Sequence, residues 1–339
     1  MSTPIVNSKV EWRESVDQDV FLNDIVTAAK PVIFKGLTNH WPLTKAGADS
    51  NEALVAYLKR FNVDNDVRIL IGNDGIKGRF FYNEDMSGFN FQEKRGPFGM
   101  ALALLDAYRG KPSEPALYMG ATSVAKVLPG MEVDNSLDIV ADVPPHIWIG
   151  NAVTIAPHFD TSTNVACAVA GRRRFTLFPP EQVANLYVGP IEFNPAGQPI
   201  SLVDLKQPDY ERFPRFREAL NHALVADLEP GDALFIPPLW WHNVESFDPL
   251  NVLVNYWWEP LTPITGSPLN GLVQSMLTIG HLPDTQKAAW RALFDHYVFS
   301  AEPPGEHLTP EIRGLMGALT PSLRDQVNEF LNNKTDGSR

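Results

Sequence analysis

The sequence predicts a mainly β protein, with an antiparallel barrel or sandwich at its centre, an α/β flank before it and a helical extension after it. Three observations carry this expectation. Residues 146–258 run as short apolar stretches, nearly all of them punctuated by Gly, Pro or Asp. The 29 prolines and 23 glycines favour many short elements joined by turns over a bundle of long helices. Beyond Pro263 the apolar residues take up helical spacing.

The elements follow in order. PVIFKGL (31–37) reads as a strand and residues 51–61 as a short amphipathic helix. VRILI (67–71) and RFFY (79–82) are strand-like. Residues 97–108 suit a helix that opens on Pro97 and stops before Gly110. ALYM (116–119) reads as another strand. The β-rich runs are then HIWIG, NAVTIAPHFD, NVACAVAG, RRFTLFPP, ALVADLEPGDALFIPP, WWHNVESF and LNVLVNYWWEP. An interruption at 187–222 is too long for a hairpin turn, and insertions of that length are often functional. Helices are expected at 268–279, 286–298 and 310–331. The expected organisation is a flank at 1–115, a β core at 116–262 and a helical extension at 263–339.

Composition narrows the function classes. Of 339 residues, 44% are apolar and 20% charged, enough to bury a sizeable core. Lys and Arg number 28 against 40 Asp and Glu, a net charge of −12 that repels phosphate backbones and disfavours nucleic acid as a partner. The single cysteine, Cys167, cannot form an internal disulfide and suits a reducing cytosol; it is expected to be buried and inert. The first residues hold no apolar signal-peptide core, and no stretch approaches the roughly 18 apolar residues of a membrane span. A cytoplasmic protein without a membrane partner is expected.

His158-Phe159-Asp160 is the one His-x-Asp in the chain, a tripeptide that chance alone would supply about once in two such chains. In a strand, residues two apart share a face, so the imidazole and the carboxylate would converge on one point. His242, in a strand-like run behind Pro237-Pro238, is the best third ligand. Two histidines and a carboxylate on one face of a metal leave adjacent positions open, as in non-haem Fe(II) oxygenases. By spacing alone the set could equally be a hydrogen-bonded His–Asp pair and a packed histidine. His40, His146, His222, His281, His296 and His307 lack ligand-like spacing and are expected to be structural or exposed.

PHFDTSTNVACAVAGRRRFTLFPPEQ, QPDYERFPRF, EPGDALFIPPLWWHNVESF and VNYWW, in this order, resemble the JmjC/cupin-like 2-oxoglutarate-dependent oxygenases, and among them the asparaginyl hydroxylases. The likeness extends upstream through KGRFFYNEDMSGFNFQ, ALYM and the PVIFKGL start, over roughly residues 30–260. It implies a double-stranded β-helix, or jelly-roll, core. It implies Fe(II) on His158, Asp160 and His242, with 2-oxoglutarate and O2 as co-substrates. Tyr118 matches the family tyrosine at the distal carboxylate of 2-oxoglutarate, and Asn164 and Asn255 match asparagines near its iron-side carboxylate. Strand alternation agrees in turning Asn164 and Asn255 inward.

Three departures stand out. Arg173, within Arg172-Arg173-Arg174, replaces the family lysine for the distal carboxylate; arginine can hold a carboxylate through two parallel bonds and stays charged. Neighbours on a strand cannot all face inward, so at least one of the three arginines is expected in solvent. Ile155 stands where the family has threonine, with Thr154 one residue earlier; a bulge could re-aim Thr154 into the pocket. The inserted loop keeps a glutamine, Gln198, but lacks the arginine that grips asparagine in the asparaginyl hydroxylases, so that substrate does not carry over. Tyr82 and Trp257 are the candidate aromatics at the substrate mouth, with most other aromatics in packing roles.

The expected activity is hydroxylation of a protein or peptide side chain, releasing succinate and CO2. Small-molecule or tRNA hydroxylation and N-methyl demethylation are the alternatives within the class, and a non-catalytic cupin-like binding module the alternative outside it. Leu272, Val273, Met276, Leu277, Ala289, Trp290, Leu293 and Phe294 lie at helical spacing in the extension. They suit barrel capping or, by family likeness, a homodimer interface.

Overall fold

The computed structural model describes residues 6, 8–111, 114–195, 197–259 and 267–335. The chain divides into two units, 1–259 and 260–339. The expected junction at 262–263 lies outside the described residues.

Six strands precede the barrel: β1 (Glu11–Arg13), β2 (Val32–Phe34), β3 (Asp66–Gly72), β4 (Arg79–Phe80), β5 (Phe91–Pro97) and β6 (Ala116–Ser123). Eight more build it: β7 (Pro145–Gly150), β8 (Thr154–His158), β9 (Thr163–Ala170), β10 (Arg173–Phe178), β11 (Leu224–Leu228), β12 (Ala233–Ile236), β13 (Trp241–Ser246) and β14 (Asn251–Trp258). The large sheet has the order β1-β2-β12-β9-β14-β7-β6-β3-β5, and the small sheet β11-β10-β13-β8-β4. From β7 to β14 the chain changes sheet at almost every connection, which makes the barrel a jelly roll. The flanking strands extend the large sheet at both ends, except β4, which edges the small sheet.

Alternation along the strands explains the layers. On β9, Val165, Cys167 and Val169 face outward, while Ala166 and Ala168 face inward against Phe175 and Leu177 of the small sheet. Both faces are covered, so β9 is buried throughout. The outward face packs on helix Pro42–Asp49 and shares one apolar cluster with helix Asn51–Phe61, which Ser50 caps by accepting from the Ala53 amide, and with helix Phe98–Tyr108. Cys167 lies in this apolar layer, where burial pushes its thiol well above the usual range. Strand β5 has no apolar alternation to announce it. Gln92 to Arg95 are exposed and polar, which suits the sheet edge it occupies.

Among its described residues, the insertion between β10 and β11 forms no strand of its own. It holds a short 3-10 turn (Pro180–Asn185) and helix Phe216–Asn221, and it folds back on β8. The Ser201 amide donates to the Pro157 carbonyl at 2.8 Å, and the Tyr82 hydroxyl donates to the Phe193 carbonyl at 2.6 Å.

The second unit contains helices Pro268–Thr278, Asp284–Tyr297 and Pro321–Thr335. The helix expected from 310 begins only at Pro321. Gly314, at φ +50°, and Gly317 break the preceding stretch into short 3-10 turns. No described helix is long and apolar enough to cross a membrane.

The turn before β12 depends on one carboxylate. Asp232 is buried and accepts from Lys35 Nζ at 2.6 Å and from the amides of Gly36 and Glu229 at 3.0 Å each, joining β2 to the barrel. Asp232→Ala strands these donors and is expected to cost about 3 kcal/mol, read as a lower urea midpoint at unchanged slope.

Candidate active site

Antiparallel pairing of β8 and β13 sets His158 directly opposite His242. The ring centroids are 4.3 Å apart, and Asp160, two residues past His158, brings Oδ2 to 3.7 Å from His242 Nε2. One ligand atom from each of the three lies within 4.8 Å of the others. Both imidazoles are oriented by the backbone: Nδ1 of His158 meets the Ala156 carbonyl at 2.9 Å, and Nδ1 of His242 meets the Trp240 carbonyl at 3.0 Å. A carbonyl only accepts, so each Nδ1 carries the proton and each Nε2 lone pair is left for a cation. Burial, and then the neighbouring His158, pull the His242 pKa down against the opposing effect of Asp160, favouring the neutral ring a metal needs. The Asp160 carbonyl accepts from the Leu239 amide at 2.8 Å, which ties the two ligand-bearing segments together.

Next to this triad a narrow inner cavity of about 50 Å³ is lined by Tyr118, Asn164, Arg173, Asn255 and Trp257, among others. Of the three consecutive arginines only Arg173 turns inward. Arg172 pairs with Asp248 and Arg174 with Asp227, both in exposed positions. Arg173 is 3% exposed and forms no ion pair among the described residues, and its buried Nε has no hydrogen-bond partner. Burial lowers its pKa to about 10, opposed by Tyr118, so it stays charged near neutrality. Burial also raises the Tyr118 phenol far above its usual range, keeping its O–H as a donor. An unpaired buried cation and a protonated phenol beside a three-ligand centre fit an anionic co-substrate that spans from metal to guanidinium.

Two expected contacts are redirected. Between β8 and β13 the register shifts, with His158 opposite His242 but Ile155 opposite Val244. This bulge turns Ile155, not Thr154, into the cavity. Thr154 instead accepts from Lys206 Nζ at 3.1 Å, outside both cavities. Tyr82 is also outside them: it is buried with Ala156 and Ile200, and its hydroxyl is taken up by the Phe193 carbonyl. Its role is to hold the insertion down.

Gln198 and Trp257 do line the outer cavity of about 340 Å³ that opens onto His158 and Asp160. Gln198 Oε1 and Trp257 Nε1 are both buried without a hydrogen-bond partner among the described residues. Phe80, Trp148 and Arg68 line this cavity too and were not singled out from sequence. For Trp148 a signal existed, since two-residue alternation along β7 can be extended to the face it shares with Asn255. For Ile155 the signal was its place at the family's threonine position, since the bulge hides it from simple alternation.

A two-layer jelly roll carrying two histidines and an aspartate at its open mouth defines a JmjC/cupin-like protein. The model of the cupin-like domain family matches residues 17–262, and the chain belongs to that family. The chain is 42% identical over 115 residues to human HSPB1-associated protein 1, covering 33% of this chain and 23% of that one. It is 26% identical over 260 residues to Drosophila melanogaster Jumonji C domain-containing protein 5, covering 75% of this chain and 60% of that one. It is 25% identical over 245 residues to Xenopus tropicalis lysine-specific demethylase 8, covering 70% and 50%. The match thus spans about a quarter of the length of HSPB1-associated protein 1. The solved structure of Escherichia coli ribosomal oxygenase YcfD aligns at 16% identity and a TM-score of 0.42, over 96% of this chain and 68% of that one.

The unpaired guanidinium makes a prediction. Arg173→Met removes a buried charge and is expected to raise the stability of the ligand-free protein by about 1–2 kcal/mol. It is also expected to abolish the melting-point rise that N-oxalylglycine plus Mn(II) gives the wild type; differential scanning calorimetry reads both effects.

Proposed function

We propose that the protein is an Fe(II)- and 2-oxoglutarate-dependent oxygenase that hydroxylates a protein or peptide side chain. The observation that carries this reading is the buried, unpaired Arg173 beyond a His158–Asp160–His242 centre whose Nε2 atoms are free. Bound Fe(II), 2-oxoglutarate and O2 supply the oxidising power for inserting one oxygen into a C–H bond, with succinate and CO2 as co-products.

The chain's own residues bind, orient and exclude. Arg173 offers two parallel N–H donors to the distal carboxylate, and Tyr118 adds an O–H. Asn164 and Asn255 serve the metal-side carboxylate. Ile155, Phe175 and Leu253 keep water from the inner cavity. In the outer cavity Gln198 Oε1 accepts from a substrate N–H or O–H, and Trp257 forms the wall between the two spaces.

A protein substrate is supported by the name of the human relative, which marks it as associated with another protein, and by the volume of the outer cavity, about 340 Å³. N-methyl demethylation is the second reading, favoured by the name of the Xenopus relative. The same oxygen insertion at an N-methyl carbon would release formaldehyde. The setting we propose is cytoplasmic.

We further propose that the protein is a homodimer through its C-terminal helices. Helices Pro268–Thr278 and Asp284–Tyr297 bury none of their residues, and Leu272, Leu277, Leu293 and Phe299 are exposed. Apolar surface on this scale is ordinarily covered by another chain. Sedimentation velocity is expected to give twice the chain mass at micromolar concentration, and Leu277→Glu with Leu293→Glu to give the monomer.

The test of the activity is succinate release from 2-oxoglutarate with added Fe(II). Turnover is expected in the wild type and only background in His158→Ala and Asp160→Ala. Equal turnover in all three would exclude the site. A peptide screen by mass spectrometry then separates one added oxygen atom from loss of a methyl group.

A further inference from the structure

Three side chains on adjacent strands of the large sheet form a hydrogen-bonded line across the inner cavity. Trp148 on β7 donates its indole N–H to Asn255 Oδ1 at 2.7 Å. Asn255 on β14 donates its Nδ2 to Asn164 Oδ1 on β9 at 3.1 Å. The order β9-β14-β7 and the ladder registers, with Trp148 opposite Leu253 and Asn164 opposite Trp257, set Asn255 diagonal to both partners on one inward face.

The polarity of this line is imposed at one end. An amide can present either its oxygen or its nitrogen to a neighbour, whereas an indole nitrogen can only donate. The Trp148 N–H therefore requires Asn255 to turn its oxygen toward β7 and its NH2 toward β9. That NH2 in turn requires the oxygen of Asn164. The Asn164 NH2 is what remains to face the cavity beside His158 and Asp160. Trp148 is itself wedged: its ring stands edge to face on Trp257 at 5.3 Å, and a Cβ at Gly120 would lie 2.8 Å from it.

We infer that Trp148 is a positioning residue whose indole N–H sets the orientation of the Asn255–Asn164 amide pair, so that Asn164 presents N–H donors to the metal-side carboxylate of a 2-oxo acid. This rests on the proposed 2-oxoglutarate site. Because Trp148 also lines the outer cavity, a substrate pressing on its ring reaches the co-substrate through two hydrogen bonds.

The test is calorimetric titration of N-oxalylglycine into the full chain loaded with Mn(II), with Mn(II) affinity and ligand-free melting measured alongside. Trp148→Phe keeps an aromatic ring and loses the donor; it is expected to bind N-oxalylglycine about tenfold more weakly, the loss of roughly one hydrogen bond to a charged group. Mn(II) affinity is expected to stay at the wild-type value. Asn164→Ala is expected to weaken binding at least as much, and the double variant no more than Asn164→Ala alone, because the tryptophan acts only through that amide. Additive losses would assign Trp148 a packing role and overturn the inference, as would unchanged binding in Trp148→Phe. Asn255→Asp, which still accepts from the indole but cannot donate to Asn164, must show the same non-additivity and serves if Trp148→Phe does not fold. A wild type that binds Mn(II) but not N-oxalylglycine would remove the co-substrate reading itself.

Discussion

The pairing of β8 with β13 is the constraint on which the rest of the site depends. It sets His158 opposite His242 in one ladder, although 84 positions of chain number separate them. Each ring is locked by its own backbone carbonyl two residues earlier, so the strand geometry that fixes the Cα positions also fixes the tautomers. The bulge just beyond this pair belongs to the same device. It lets the two histidines meet while turning Ile155 into the cavity, which makes that wall apolar where a hydroxyl would have been wet.

The inner cavity holds charge in a way that favours a ligand over the empty protein. Arg173 is buried and forms no ion pair among the described residues, a costly arrangement in a fold that pairs Arg172 and Arg174 on either side of it. Tyr118 cannot compensate, because burial keeps its phenol protonated. The site is thus built to be completed by an anion from outside. Stability and binding are set against each other at one residue.

Much of this was legible in the chain. The β-rich texture of 146–258, the helices at 51–61 and after 268, and the His-x-Asp tripeptide all follow from local alternation and punctuation, which need no knowledge of distant partners. The division of labour among the three arginines followed in outline from parity on a strand. Strand β5 was not legible, since its exposed residues are polar on an edge and give no apolar period. Thr154 and Tyr82 were assigned to the pocket and lie elsewhere. The bulge is present but puts Ile155 and not Thr154 on the cavity face, and the carbonyl of Phe193, 111 residues away, takes up the hydroxyl of Tyr82.

What the sequence determined by itself is therefore the set of chemical groups and the faces on which local alternation puts them: two imidazoles, an aspartate, an inward arginine and two amides. What only the tertiary structure decided is their polarity and company. The orientation of Asn255 and Asn164 depends on an indole from a third strand, and Arg173 is left alone while Asp248 and Asp227 pair with Arg172 and Arg174. The physical reason is that facing is a property of one strand, whereas a hydrogen bond's direction and a charge's partner are properties of strands brought together across the sheet.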